Sequence, residues 1–422
     1  MEAGTTIRAA VGGERWKGRM GVEISSAVPA NRRIRVGRGL ALSWDMAALK
    51  IGLVCDWFTP QIGGIENHIG DLARQLRVRG HAPHVITSTP GPSELEGIPV
   101  HRLDVARLPG WRVIGDVRAS RRVREIYEAA GFDLVHGHSF QSPLAHVAMH
   151  VSRELAIPSL LTQHTLLAPA PATVLRWLDR SIGWAAWPTI ITGVSRAVAD
   201  QARVVAGRHD VRVLHTGLDL AAWTRQRTPS SRETVVLCVT RFYAHKHADE
   251  LVLAIPRVLA SSRCPGALRF VMVGEGPQRR RLERLARRLG VAGVTEFTGA
   301  IPRRDVADLL ERAHVFVVPN PAEAFGIVAL EARAKGLPVV ARSSSGTCDV
   351  IEHERHGLLC DTIDDMARSI ARLCDDPRLR EAISERAPAG LEQFGWNHAI
   401  ERHVALYREA LGRSAGALKR AA

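Results

Sequence analysis

Asn320-Pro-Ala-Glu-Ala-Phe-Gly-Ile-Val-Ala-Leu-Glu331 decides how this chain is read. It follows His314-Val-Phe-Val-Val-Pro319, a short continuous apolar run of the kind that forms a buried parallel strand. A helix is expected to open near Ala324. The first backbone N–H groups of such a helix have no intrahelical partners, so Phe325, Gly326, Ile327 and Val328 offer an anion site at the carboxyl edge of a sheet. Gly326 lets a ligand come close to the backbone. Glu323 stands before the helix and Glu331 slightly over two turns further on, so both carboxylates address roughly one side. Carboxylates accept hydrogen bonds from paired hydroxyls. A diphosphate flanked by hydroxyls is what a nucleotide sugar presents. A helix with an acidic start, favoured by its dipole, and one solvated glutamate satisfies the same pattern. This stretch alone leaves both open.

A chain of 422 residues exceeds a single core, and two or three domains are expected. The 46% hydrophobic content is that of a globular protein, and no apolar run approaches the ~18 residues of a membrane span. A formal charge of +14 favours anionic partners, although Arg and Ala in this abundance also mark a GC-rich genome. No nucleic-acid module and no aromatic–basic interleaving is present, which argues against a nucleic-acid partner. The six cysteines form no Cys-x-x-Cys pair; Cys55 and Cys238 fall in apolar strands and read as buried thiols of a reducing, cytoplasmic compartment. Residues 1–48 are basic and aperiodic, without the apolar core of a signal peptide. They read as a mis-called leader, with translation starting at Met46, or as a disordered basic arm.

The remainder alternates strands and helices. Leu49–Cys55 is a strand, and the loop after it carries Gly63-Gly64 before a helix over 65–79, a second phosphate-approach element. Phe132-Asp-Leu-Val-His-Gly-His-Ser139 ends its strand at about His136. That puts His138 in the loop at the carboxyl edge, where an imidazole is able to bond a sugar near neutral pH. His136 reads as structural and His68 as a packing histidine. A helix over 174–187 places Trp177 and Trp184 on one face, a core face or an apolar wall for a lipid acceptor. After a linker at 220–232 a second series begins with Thr234–Thr240. Arg241 and Lys246 follow its first strand, spaced to clamp a diphosphate and stabilise leaving charge. Gly274-Glu-Gly-Pro277 ends the next strand, and Ser343–Thr347 forms a small-residue loop within reach of a donor. The arginines between 279 and 288 cover a helix that is solvated or faces a membrane.

Glu-x7-Glu around Phe-Gly-Ile-Val, with Arg-x4-Lys at 241–246, resembles the signature of retaining family-4 glycosyltransferases of the GT-B fold. The resemblance spans about residues 49–411. It implies an α/β fold of two doubly wound, Rossmann-like domains facing a cleft: 49–219 on the acceptor side and 233–395 binding the nucleotide sugar. A helix over 396–411 crosses back, and 412–422 form a disordered tail. It further implies that Glu323 and His138 contact the transferred sugar, and that the amides of Phe325 to Val328 take the diphosphate. Glu331 is assigned the ribose, and Arg241 with Lys246 the leaving charge. Gly63, Gly64 and Gly274 border the donor. The Gln163-His164-Thr165 segment resembles a family stretch that places His164 in the acceptor cleft. Thr216 replaces the family's Asn. The N-terminal half looks closest to transferases acting on phosphatidylinositol-type lipids, and the basic surface suits an anionic membrane on the cytoplasmic face. The donor is expected to be a UDP- or GDP-sugar and the acceptor a lipid or sugar. No cofactor is expected. No Asp-x-Asp is present, so no metal on the diphosphate is expected either. The alternatives are a GT-B sugar-nucleotide epimerase and a non-catalytic binding protein.

Overall fold

The computed structural model describes residues 48–61, 63–105, 118–223 and 233–421. The expectations for 1–47, and most of the linker, lie outside the described residues. Among those described, two parallel sheets are built in succession.

The first sheet has eight strands. In spatial order they are Glu94–Leu95, Ile98–Arg102, Ala82–Thr87, Lys50–Val54, Leu134–His138, Ser159–Gln163, Ile190–Gly193 and Arg212–Val213. All pair in parallel except Glu94–Leu95, which is antiparallel to its neighbour. The second sheet has six parallel strands, in the order Thr295–Gly299, Leu268–Val273, Thr234–Val239, Val315–Val318, Val339–Arg342 and Gly357–Cys360. Their near-continuous Val, Leu and Ile content is what burial on both faces requires. Each sheet carries an apolar core on either face. Cys55 and Cys238 are buried within these cores, as expected.

Chain order reverses in space at one point in each sheet: between Lys50–Val54 and Leu134–His138 in the first, and between Thr234–Val239 and Val315–Val318 in the second. Crevices at such switch points, outside the carboxyl ends of the strands, are where ligands bind in this architecture.

The last helix, Trp396–Ala421, completes the first domain. Trp396, Ile400 and Tyr407 belong to the core that includes Ile51, Leu53 and Leu72. The crossing is tight: Leu218 N donates to Phe394 O (2.8 Å) and Trp396 N to Leu218 O (3.2 Å). A Cβ on Gly217 would sit 2.5 Å from the Trp396 ring.

Three expectations about elements need correction. The helix continues past Leu411 to Ala421, because Gly412 within an otherwise helix-favouring sequence does not stop it. The tryptophan helix spans Pro169–Ile182 and ends at Gly183, whose left-handed backbone (φ 65°) starts a new turn at Trp184. Helical spacing therefore does not relate Trp177 to Trp184. Trp184 and Trp187 are buried, whereas Trp177 is 63% exposed, so it is no core residue. The strand at 134 runs through His138 and does not end at His136.

Candidate active site

The second switch point gathers the charged residues that the sequence singled out. Arg241 and Lys246 leave the carboxyl end of Thr234–Val239; Asn320, Glu323 and Gly326 leave that of Val315–Val318 next to it. Lys246 Nζ lies 3.0 Å from Glu323 Oε2, and Asn320 Nδ2 donates to the same oxygen at 3.0 Å. Arg241 is exposed and lies over the Tyr243 ring, 5.7 Å from its centroid. Lys246, Asn320 and Glu323 thus meet at the switch point, and Arg241 leaves the same strand end as Lys246.

The helix opens at Ile327, not near Ala324. Gly326 is its N-cap, with φ 83°, in the left-handed region that side chains avoid. A Cβ there would also press into the Thr347 methyl. The amides pointing out of the helix start are those of Ile327 and Val328, with Gly326 beside them. Phe325 precedes the cap and turns its ring inward, stacked on His215 at 5.5 Å. The Ser343–Thr347 loop braces the turn from behind: Gly346 N donates to Glu323 O at 2.7 Å.

Glu331 is buried, and its Oε1 takes a 2.7 Å bond from Arg303. Burial raises its carboxyl above the ordinary value, with Arg303 opposing. Glu323 precedes the helix and Glu331 lies in its second turn, each held by its own cation.

The glycines divide by role. Gly64 has open space at its Cβ position, as an approach site requires. Gly63 is the N-cap of the helix Gly64–Val78, and its carbonyl accepts from Asn67 N at 3.0 Å. Gly274 is fixed by the chain itself: φ is 149°, and a Cβ would run into the Thr240 carbonyl. Packing between the loops accounts for it, and the expected clearance for a nucleotide is not needed to explain it.

The histidines differ most from expectation. His138 is fully buried at the end of its strand, its Nδ1 2.9 Å from His164 Nε2. His164 is buried as well, its ring against that of His138. His136 is structural, as expected, bonded to Tyr407 (2.9 Å) and Thr162 (2.7 Å). His68 packs flat on Trp396.

Contacts between the domains escaped the sequence reading. Ser195, which caps the helix Arg196–Ala206, also donates from Oγ to Ala324 O at 2.6 Å, next to Glu323. Asp349 accepts from Arg196 N and Nε, both 2.9 Å, and pairs with His215 Nε2 at 2.8 Å. Burial pushes the Asp349 carboxyl up, but the bonds from His215 and Arg196 outweigh it and hold it below its ordinary value. These partners lie more than 120 residues apart in sequence, which leaves no local pattern.

Two facing doubly wound domains, with paired cations and carboxylates at the switch point of the second, define the class of GT-B transferases. The comparisons place the chain within that class. Residues 62–222 match the model of Glycosyltransferase Family 4, and residues 221–389 that of Glycosyl transferases group 1. The chain is similar to D-inositol 3-phosphate glycosyltransferase of Kribbella flavida, at 28% identity over 83% of this chain and 92% of the relative. It is also similar to a phosphatidylinositol N-acetylglucosaminyltransferase chain of Arabidopsis thaliana, at 29% identity over 86% of this chain and 82% of the relative. Among solved structures, a glycosyltransferase from Rickettsia africae superposes with a TM-score of 0.72 at 18% identity, covering 87% of this chain and 99% of that one. Anabaena Alr3699/HepE in complex with UDP and glucose gives 0.69 at 21% identity, covering 86% and 100%. The chain belongs to the GT-B glycosyltransferases that join a family 4 domain to a group 1 domain.

Proposed function

We propose that this glycosyltransferase moves a hexosyl unit from a nucleotide-sugar donor to an inositol-phosphate-type acceptor, soluble or lipid-linked, with retention at the anomeric carbon. The observation that carries the donor reading is the Lys246–Glu323 pair beside the Gly326 helix start at one switch point, where Arg241 also leaves its strand. The diphosphate lies against the amides of Ile327 and Val328, with Arg241 and Lys246 meeting the charge that develops on departure. Glu323 accepts hydroxyls of the transferred sugar, and Glu331 those of the ribose.

Among the described residues no carboxylate is placed by contact as a nucleophile. In the reaction we propose, the bond from the anomeric carbon to the diphosphate oxygen breaks. The acceptor oxygen bonds to that carbon on the same face and passes its proton to the departing phosphate. Charge is balanced by Arg241 and Lys246, and no metal is required on the diphosphate.

The acceptor class rests on the names of the relatives, which act on inositol 3-phosphate or phosphatidylinositol. No helix among the described residues is long and apolar enough to cross a membrane. A lipid acceptor would be met at a membrane surface, where the chain's basic surplus attracts anionic lipid. The test is incubation with UDP-, GDP- and ADP-sugars and either inositol phosphate or phosphatidylinositol vesicles, with proton NMR of the product. A glycosylated product of unchanged anomeric configuration is expected. An inverted product refutes the same-face step, and transfer to neither acceptor refutes the acceptor class. An epimerised sugar without acceptor would identify the alternative enzyme.

A further inference from the structure

Trp177 stands on the surface, and it does not stand there alone. Among the described residues the large apolar side chains most exposed to solvent are Val78, Val174, Trp177, Val204 and Tyr243. Of these only Val174 and Trp177 share a helix, Pro169–Ile182, where they are 55% and 63% exposed. Three residues apart, they are neighbours on its surface, and exposed Ala170, one turn before Val174, extends the same face. Arg176 and Arg180, one turn apart, border that face on one side. Both are exposed, and neither has an ion-pair partner among the described residues. The one acid of the helix, Asp179, is engaged by the chain itself, its Oδ1 accepting from Ala185 N at 2.8 Å.

The rest of the helix is held to the domain. Leu175 is buried in a core with Trp184, whose Nε1 donates to Leu175 O at 3.3 Å. Ahead of the helix, Gln201 clasps Leu167, accepting from its N at 2.6 Å and donating to its O at 2.9 Å. The apolar face is thus presented by an anchored helix.

We propose that this face docks the N-terminal domain on an anionic membrane surface. Trp177 and Val174 enter the boundary between headgroups and acyl chains, and Arg176 and Arg180 meet the lipid phosphates. An apolar face carrying Trp, bordered by arginines, is the pattern of a helix that lies in the plane of a membrane. Charge decides the occupant: the two free guanidiniums and a formal charge of +14 suit an anionic surface. A second copy of this chain on the same face would instead crowd unpaired guanidiniums together. The chain enters the helix from the carboxyl end of Ser159–Gln163, and Leu166 on the way packs against the core that contains Phe325. A few packed residues therefore join the docked helix to the turn that carries Gly326. That this brings a lipid acceptor to the transfer site rests on the acceptor reading given above; the docking itself does not.

The test is flotation of the full chain with vesicles of phosphatidylcholine alone and of phosphatidylcholine with phosphatidylserine, an anionic lipid that is not the proposed acceptor. Binding to the anionic vesicles only, weakened by added salt, is expected. Trp177→Ser should weaken it at least roughly tenfold, through the apolar area no longer buried. Arg176→Gln with Arg180→Gln should weaken it about 25-fold, or fivefold for each guanidinium near the surface. Val78→Ser, on another helix, should leave it unchanged. Melting curves should match wild type in all of them, because these side chains are exposed. Trp177→Phe should keep binding yet lose the quenching of tryptophan emission by brominated lipid that wild type shows. No binding to anionic vesicles, binding indifferent to Trp177 and the two arginines, or quenching that survives Trp177→Phe overturns the proposal. So does a dimer in sedimentation without vesicles that Trp177→Ser dissociates, which would give the face to a second copy. None of these measurements uses donor or acceptor, so a failure of the acceptor reading leaves their outcome intact.

Discussion

Replacing Glu331 by Gln should separate nucleotide affinity from stability. Arg303 engages Oε1 at 2.7 Å, and the proposed ribose contact falls to Oε2. A hydrogen bond to a charged group contributes about 1.5–3 kcal/mol. Losing one such bond should therefore weaken nucleotide binding by roughly 10- to 150-fold, at about 1.4 kcal/mol per tenfold. The free protein should not suffer in proportion. Arg303 is half exposed and keeps its hydration, while the buried position loses a charge whose burial is unfavourable. Calorimetric titration with UDP, GDP and ADP, beside thermal melts without ligand, measures both. A raised Kd with a melting temperature within a few degrees of wild type is expected. Because burial raises the Glu331 carboxyl, wild-type affinity should also fall as pH drops through that raised value, since the neutral acid is a weaker acceptor. The Gln variant should lack that pH dependence. Unchanged affinity in the variant, or a loss explained entirely by unfolding, would refute the ribose assignment.

Three further outcomes are expected. Lys246→Met should lower kcat by roughly 10²–10³-fold, as the loss of one group stabilising developing charge does, with little change in melting because the pair with Glu323 is partly solvated; initial-rate kinetics with the identified donor checks this, and an unchanged kcat removes Lys246 from the chemistry. Gly326→Ala should destabilise by about 1–3 kcal/mol, from its positive φ and the Thr347 methyl behind it, and denaturant unfolding at neutral stability would contradict that. Asp349 is held below its ordinary value of 3.8, so its stabilisation is present above that pH and lost as pH falls through the lowered value. Asp349→Asn should therefore flatten the acid limb of the melting curve and cost about 1–2 kcal/mol at neutral pH; an acid limb identical to wild type would show that the contact between domains carries no such linkage.

The sequence was most informative where a function is built from one strand and the turn after it. Glu323, Gly326, Arg241 and Lys246 each follow a strand in a βα unit, so spacing placed them, and the parallel sheet then brought the two turns together. Helix starts were misjudged by three residues at Ala324 because the cap depends on the left-handed backbone of Gly326, which residue type permits but does not dictate. The contact of His164 with His138 was not foreseen, because neighbouring parallel strands fix that distance and neither segment announces the other. Trp177 was misplaced since Gly183 interrupts the helix whose period the argument used. Asp349 and His215 were missed altogether, as was the bond from Ser195 to Ala324. Their meeting is set by how two domains face each other, which no local pattern announces.

The account rests on a nucleotide-sugar site in the C-terminal domain, and a thermal-shift screen of UDP-, GDP- and ADP-sugars against wild type and Glu331→Ala tests it most directly. A ligand that binds only the folded state raises its melting temperature, by about 2.7 kcal/mol of added stability at a hundred times Kd. The account predicts a rise with one nucleotide family in wild type and little or none in the variant. No rise with any of them, or an equal rise in both proteins, would contradict it.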